Sequence, residues 1–108
     1  MKLSHVLFVT MAFAGVAPAA ASETGFAAIH DWRREGGRTC MVDHFHYGSG
    51  TGSTEKAAKA SAIAAWSSFT VFEYGSTWGR YTLAAGKVME CQASGGWTCS
   101  VRARPCKR

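Results

Sequence analysis

At 108 residues, 47% of them hydrophobic and 18% charged, the chain is long enough for one small core. It is too short for several domains and too apolar for a disordered segment. The formal net charge is +5, but Arg102, Arg104, Lys107 and Arg108 all crowd residues 102–108. The positive charge is therefore a local feature of the C-terminal end, not a property of the whole surface.

Residues 1–21 have the pattern of an export signal. Lys2 supplies a positive start, Val6 to Ala17 is a short run without charge, and Pro18 precedes Ala19-Ala20-Ala21, a small-x-small cleavage site. The run is shorter than the roughly 20 apolar residues a membrane-spanning helix needs. Cleavage would leave residues 22–108 with no membrane span. Four cysteines, Cys40, Cys91, Cys99 and Cys106, follow the signal. An even count in an exported chain points to two disulfides, with three pairings open.

Residues 22–38 carry little periodicity, and a loosely ordered N-terminal arm is expected there. Thr39 to Tyr47 alternates in part and suggests a strand, and GlySerGlyThrGly (48–52) a flexible turn. Residues 53–74 predict the one long helix. Ala and Lys dominate its first half, Ser53 is placed to cap it, Glu55 suits the helix dipole, and Gly75 stops it. Ala58, Ala62, Trp66 and Phe69 make the apolar stripe, widened by Ile63 and Phe72. A short second helix is expected between Thr77 and Gly86.

LysValMetGluCysGlnAla (87–93), SerGlyGly (94–96) and TrpThrCysSerValArgAla (97–103) predict a hairpin. The three-residue loop sets Ala93 opposite Trp97, Gln92 opposite Thr98 and Cys91 opposite Cys99. Directly opposed residues lie within disulfide reach, so Cys91–Cys99 with Cys40–Cys106 is the preferred pairing. Closing the long 40–106 loop is worth roughly 4 kcal/mol on the chain-entropy estimate. The expected fold is α+β: one long and one short helix packed on a three-stranded sheet, in the order β-α-α-β-β, within a disulfide-stapled domain spanning 39–108.

Candidate site residues fall into two sets. Arg102 and Arg104 share a predicted strand face, and with Lys107 and Arg108 they form a basic surface suited to an anionic envelope component or a protein partner. His44 and His46 form a His-x-His on a predicted strand, with both imidazoles on one face about 6.5–7 Å apart, and His30 or Asp31 is placed to add a third ligand to a metal. Catalysis has no visible motif. No Gly-x-Ser-x-Gly elbow is present, the cysteines are expected to be oxidised, and no motif pairs two carboxylates. The glycine-rich 48–52 segment before a helix lacks the ending of a P-loop. Trp78 and Tyr81, near Arg80, suggest either core packing or an exposed aromatic patch.

After Thr39-Cys40 and a strand, residues 50–62 (GlyThrGlySerThrGluLysAlaAlaLysAlaSerAla) are similar to the last strand and helix of double-stranded RNA-binding domains. In that family, basic residues at the helix start contact phosphates. Lys56 and Lys59 match. Glu55 stands where the first basic residue belongs, and the family's first helix and first two strands have no counterpart here. The likeness is read as convergence on an Ala/Lys helix, and nucleic acid is not an expected partner.

These features point to a periplasmic or secreted, non-catalytic binding domain that needs no cofactor and acts through its basic C-terminal strand and tail. The alternative is a metal-binding protein using His44 and His46, and the second alternative an enzyme whose site has no recognisable motif. Protein exported from a bacterial host should lack residues 1–21 by intact mass and gain four hydrogens on reduction. A full-length chain with free thiols would contradict both export and the disulfide assignment.

Overall fold

The computed structural model describes residues 22–108; the export signal read at 1–21 lies outside the described residues. The elements in chain order are α1 (Gly25–Ala28), β1 (Trp32–Glu35), β2 (Arg38–Met41), β3 (His46–Gly52), α2 (Glu55–Tyr74), two single 3-10 turns (Ser76–Trp78 and Tyr81–Leu83), β4 (Ala85–Ala93), β5 (Trp97–Arg104) and β6 (Cys106–Lys107). The fold is α+β, built on one long helix and two antiparallel three-stranded sheets, ordered β1-β2-β6 and β3-β5-β4.

The helix starts one residue later than its first serine suggests. Thr54, not Ser53, is the cap, its side chain accepting from the Ala57 amide at 3.1 Å. Glu55 pairs with Lys59 one turn on, at 2.9 Å. The helix ends where Gly75 takes a φ of 104°. A side chain there is excluded twice, by the backbone angle and because a Cβ would lie 2.6 Å from the Ser22 carbonyl.

The buried stripe of α2 is Ala58, Ala62, Trp66, Thr70 and Tyr74. Its small end lies on β3. A Cβ on Gly50 would come within 2.5 Å of the Ala62 amide, and one on Gly52 within 2.8 Å of the Ala57 Cβ; one on Gly48 would overlap the Ala62 carbonyl. The glycine-rich segment expected as a flexible turn is thus a strand whose alternate residues lack side chains so that a helix can lie on it. Trp66 then fills the core with Ala84, Cys99, Val101 and Ala103, and its indole donates to the Ala103 carbonyl at 3.2 Å. Phe69 and Phe72, expected in the core, are 48% and 85% exposed. The stripe runs through every fourth residue, so Thr70 and Tyr74 take the inward positions.

The hairpin has the expected register: Cys91 pairs with Cys99, Gln92 with Thr98 and Ala93 with Trp97. The disulfides are Cys91–Cys99 and Cys40–Cys106, the preferred pairing. Three other expectations differ. The segment read as one strand from Thr39 to Tyr47 is broken, because Asp43 turns the chain with a φ of 52°; β2 and β3 therefore enter different sheets. The arm is ordered, with β1 pairing β2, Ala27 buried, and the Trp32 indole donating to the Ala27 carbonyl at 2.9 Å. Its lack of periodicity reflects elements of four residues each, too short to show one. The expected short helix is two 3-10 turns parted by Gly79 and Arg80.

Gly50→Ala should destabilise the protein by about 3 kcal/mol, because the new methyl meets helix backbone that cannot yield. Gly37→Ala, at a position with open space around it, should be close to neutral. Urea denaturation of the two variants checks the contrast.

Candidate metal centre

Four side chains from three separate parts of the chain meet at the C-terminal end of α2. His30 follows α1, its amide bonded to the Ala27 carbonyl at 3.3 Å. His44 follows the left-handed turn at Asp43, and His46 opens β3 opposite Ala103. Glu73 is the penultimate residue of α2.

His30, His44 and Glu73 each bring a ligand atom to within 4.8 Å of the others. The His30 and His44 rings lie 4.4 Å apart, and those of His44 and His46 5.2 Å apart. His46 Nε2 is 3.5 Å from Glu73 Oε2. Tyr74 closes the back of the group, its ring stacked on His46 at 4.6 Å and its hydroxyl 3.0 Å from His30 Nε2. Two nitrogen ligands, one carboxylate and a further imidazole suit a borderline divalent transition metal.

At His44 and His46 the electrostatics favour the neutral imidazole. Burial pushes His46 down to about 4, the neighbouring His44 and His30 adding to the fall and Glu73 opposing it. His44 is lowered first by burial and then by His30. Burial pushes the Tyr74 phenol well up. Neutral imidazole is the form that binds a metal, so no proton need leave His44 or His46 near pH 7.

His46 is 1% exposed. Its Nδ1 lies 2.9 Å from the Thr70 hydroxyl, which donates to the Trp66 carbonyl at 2.7 Å. Its Nε2 is buried without a hydrogen-bond partner among the described residues.

The structure brings together the three histidines singled out in the sequence. Asp31 stays outside the group, and Glu73 enters it. Only one signal in the sequence marks Glu73. A carboxylate in the last turn of a helix opposes the dipole by about 0.3–1 kcal/mol, and such a charge calls for a compensating partner.

The basic residues are not brought together. Arg104, expected on an open strand face, is largely buried and forms a two-pronged pair with Glu35, both contacts at 2.6 Å, with a further bond to the Met41 carbonyl at 2.8 Å. Lys107 pairs with Glu23 at 2.8 Å and sits 4.2 Å over the Trp32 ring. Arg102 is exposed and lies over Phe45, and Arg108 is at the chain end beside Arg80. Two of the four cations are therefore spent inside the fold, and the other two do not share a surface feature. Trp78 is fully buried, and Tyr81 packs edge-on against Trp66, so of the two readings weighed for this pair, core packing holds. Among the described residues the exposed large apolar side chains are instead Phe26, Ile29, Phe69 and Phe72, with Tyr47.

Comparison with protein-family models, with curated proteins and with solved structures finds no match.

The Arg104 guanidinium holds the Glu35 carboxyl at about 2, well below the usual 4.5. A lowered carboxyl stabilises the fold above its unfolded value and loses that contribution as pH falls towards the folded one. The pair should therefore act fully above about pH 4.5 and fade between there and pH 2. Glu35→Gln should cost about 1.5–3 kcal/mol at pH 7 and flatten stability across that acid window, as read by denaturant titrations at a series of pH values.

Proposed function

We propose that this protein is an exported binder of a divalent transition metal, with His30, His44 and Glu73 as ligands. The observation that carries the reading is the convergence of those three ligand atoms within 4.8 Å, from an arm, a turn and a helix end distant in sequence.

The donor set narrows the metal. Calcium and magnesium take oxygen ligands, and copper(I) and iron–sulfur clusters take sulfur. With the cysteines oxidised and two imidazoles present, zinc(II), copper(II) and nickel(II) fit best. All three ligands are half-buried, which leaves a path for the ion to enter. The export pattern at 1–21 supports a periplasmic or secreted setting. The two disulfides point the same way, to an oxidising compartment outside the cytoplasm; among the described residues no helix is long and apolar enough to cross a membrane. The reading through a basic C-terminal surface has less support, because Arg104 and Lys107 are held in internal pairs.

Zinc(II) or copper(II) should bind with one-to-one stoichiometry in calorimetry and raise the melting temperature. At a free metal concentration 100 times Kd the stabilisation should be about 2.7 kcal/mol. His44→Ala and Glu73→Gln should each remove most of that rise while leaving the metal-free melting temperature nearly unchanged. Melting curves unmoved by zinc, copper and nickel would sink the reading.

A further inference from the structure

The heavy-atom contacts around His46 point to one tautomer. The Thr70 hydroxyl has one proton, and it is donated to the Trp66 carbonyl at 2.7 Å. The contact between Thr70 and His46 Nδ1 at 2.9 Å can then only be donated by the imidazole. His46 Nδ1 carries the ring proton, and Nε2 carries a bare lone pair. That nitrogen is buried without a hydrogen-bond partner among the described residues and lies 3.5 Å from the Glu73 carboxylate oxygen. Two acceptor atoms lie 3.5 Å apart, with no donor between them among the described residues.

Such an arrangement repels unless a positive centre lies between the two atoms. The gap has the size for one. With zinc–nitrogen and zinc–oxygen bonds of about 2.0–2.2 Å, two ligands of a tetrahedral ion lie roughly 3.3–3.5 Å apart. A direct hydrogen bond from an imidazolium would be shorter, about 2.7–2.9 Å. Metal-binding histidines also characteristically donate their second ring nitrogen to a fixed acceptor, which orients the ring. The Thr70–Trp66 relay supplies that acceptor inside the core.

From this geometry, and resting on the metal-binding reading above, we infer that His46 Nε2 is a fourth ligand. His46 lies outside the trio whose ligand atoms are within 4.8 Å of one another, so binding would draw His30 and His44 inward to complete a four-coordinate centre of three imidazoles and one carboxylate, with Thr70 as the residue that positions His46. Three of the ligands are half-exposed and one is anchored in the core. The ion would come to rest against a nitrogen held in the core. Four protein donors leave no open position for a substrate, so the metal is structural or is cargo, not a reactive centre. It would also clip the arm to the C-terminal end of α2, since His30 and Glu73 belong to those two parts.

Nitrogen-15 NMR of the imidazoles in the unaltered mature protein, with and without one equivalent of zinc(II), tests this without disturbing the core. The metal-free spectrum should show His46 protonated at Nδ1, and zinc should move its Nε2 resonance while Nδ1 keeps its proton. A charged, doubly protonated His46 near pH 7 would mean that a proton occupies the gap, and would overturn the inference. A His46 unmoved by zinc while His30 and His44 shift would also overturn it, leaving the three-ligand reading intact. If none of the three shifts, both fall. Zinc competition titrations add a second measure. His46→Gln should weaken binding at least 100-fold, and Thr70→Val by about 10- to 100-fold through loss of the tautomer lock. His46→Gln binding zinc as tightly as the parent protein would overturn the assignment.

Discussion

The fold depends on the close approach of α2 to β3. Gly48, Gly50 and Gly52 present bare backbone, and Ala57, Ala58, Ser61 and Ala62 lie directly on it. Small residues on both sides bring the axes near enough for dispersion contacts between main chains, where larger side chains would hold them apart. Everything further along the helix is placed by that contact. With its N-terminal half pressed onto the sheet, Trp66 reaches the Ala103 carbonyl and Thr70 reaches His46. Glu73 and Tyr74 are carried to the mouth of β3, where the chain emerges from its turn.

A second constraint holds the two sheets together. β5 belongs to one sheet and β1 to the other, and Arg104 spans them to grip Glu35 with both arms of its guanidinium. The Cys40–Cys106 disulfide secures β2 to β6, immediately after Pro105. The end of the chain is therefore a tie, not a tail. Lys107 continues it by bonding Glu23 while lying over Trp32 and Trp78. Basic residues that would otherwise make a patch for anions are used to hold the arm on the body of the protein.

The histidine cluster lies on this framework and inherits its rigidity unequally. His46 is locked by packing against Tyr74 and Phe69 and by its bond to Thr70. His30 and His44 stand on short connecting segments, and both are half-buried. Burial keeps the inner imidazoles uncharged, and a carboxylate at the wrong end of a helix sits within reach of them. The group gathers lone pairs while withholding protons, which is what a cation requires of a site.

Local interactions made part of this legible in advance. The helix over residues 53–74 followed from helix propensity and its glycine stop. The hairpin, with Cys91 facing Cys99, followed from a three-residue loop, and the remaining disulfide by elimination. These signals act over a few residues, where spacing alone sets geometry. Misread elements had local signals that tertiary contacts overrode. Glycines that suggest a turn became a strand because a helix lay on them, and the single strand from Thr39 was split by the turn at Asp43. His44 and His46 were visible as a pair, but Glu73 was not, since no periodicity links a helix end to a turn nearly thirty residues earlier. Arg104 looked free because its partner, Glu35, lies in an arm too short to show a pattern. The sequence by itself determined the long helix, the hairpin and its staples, whose energies are set by near neighbours. Only the tertiary structure decided which charges are consumed and which ligands converge, because those depend on distances between segments that touch only once the core has formed.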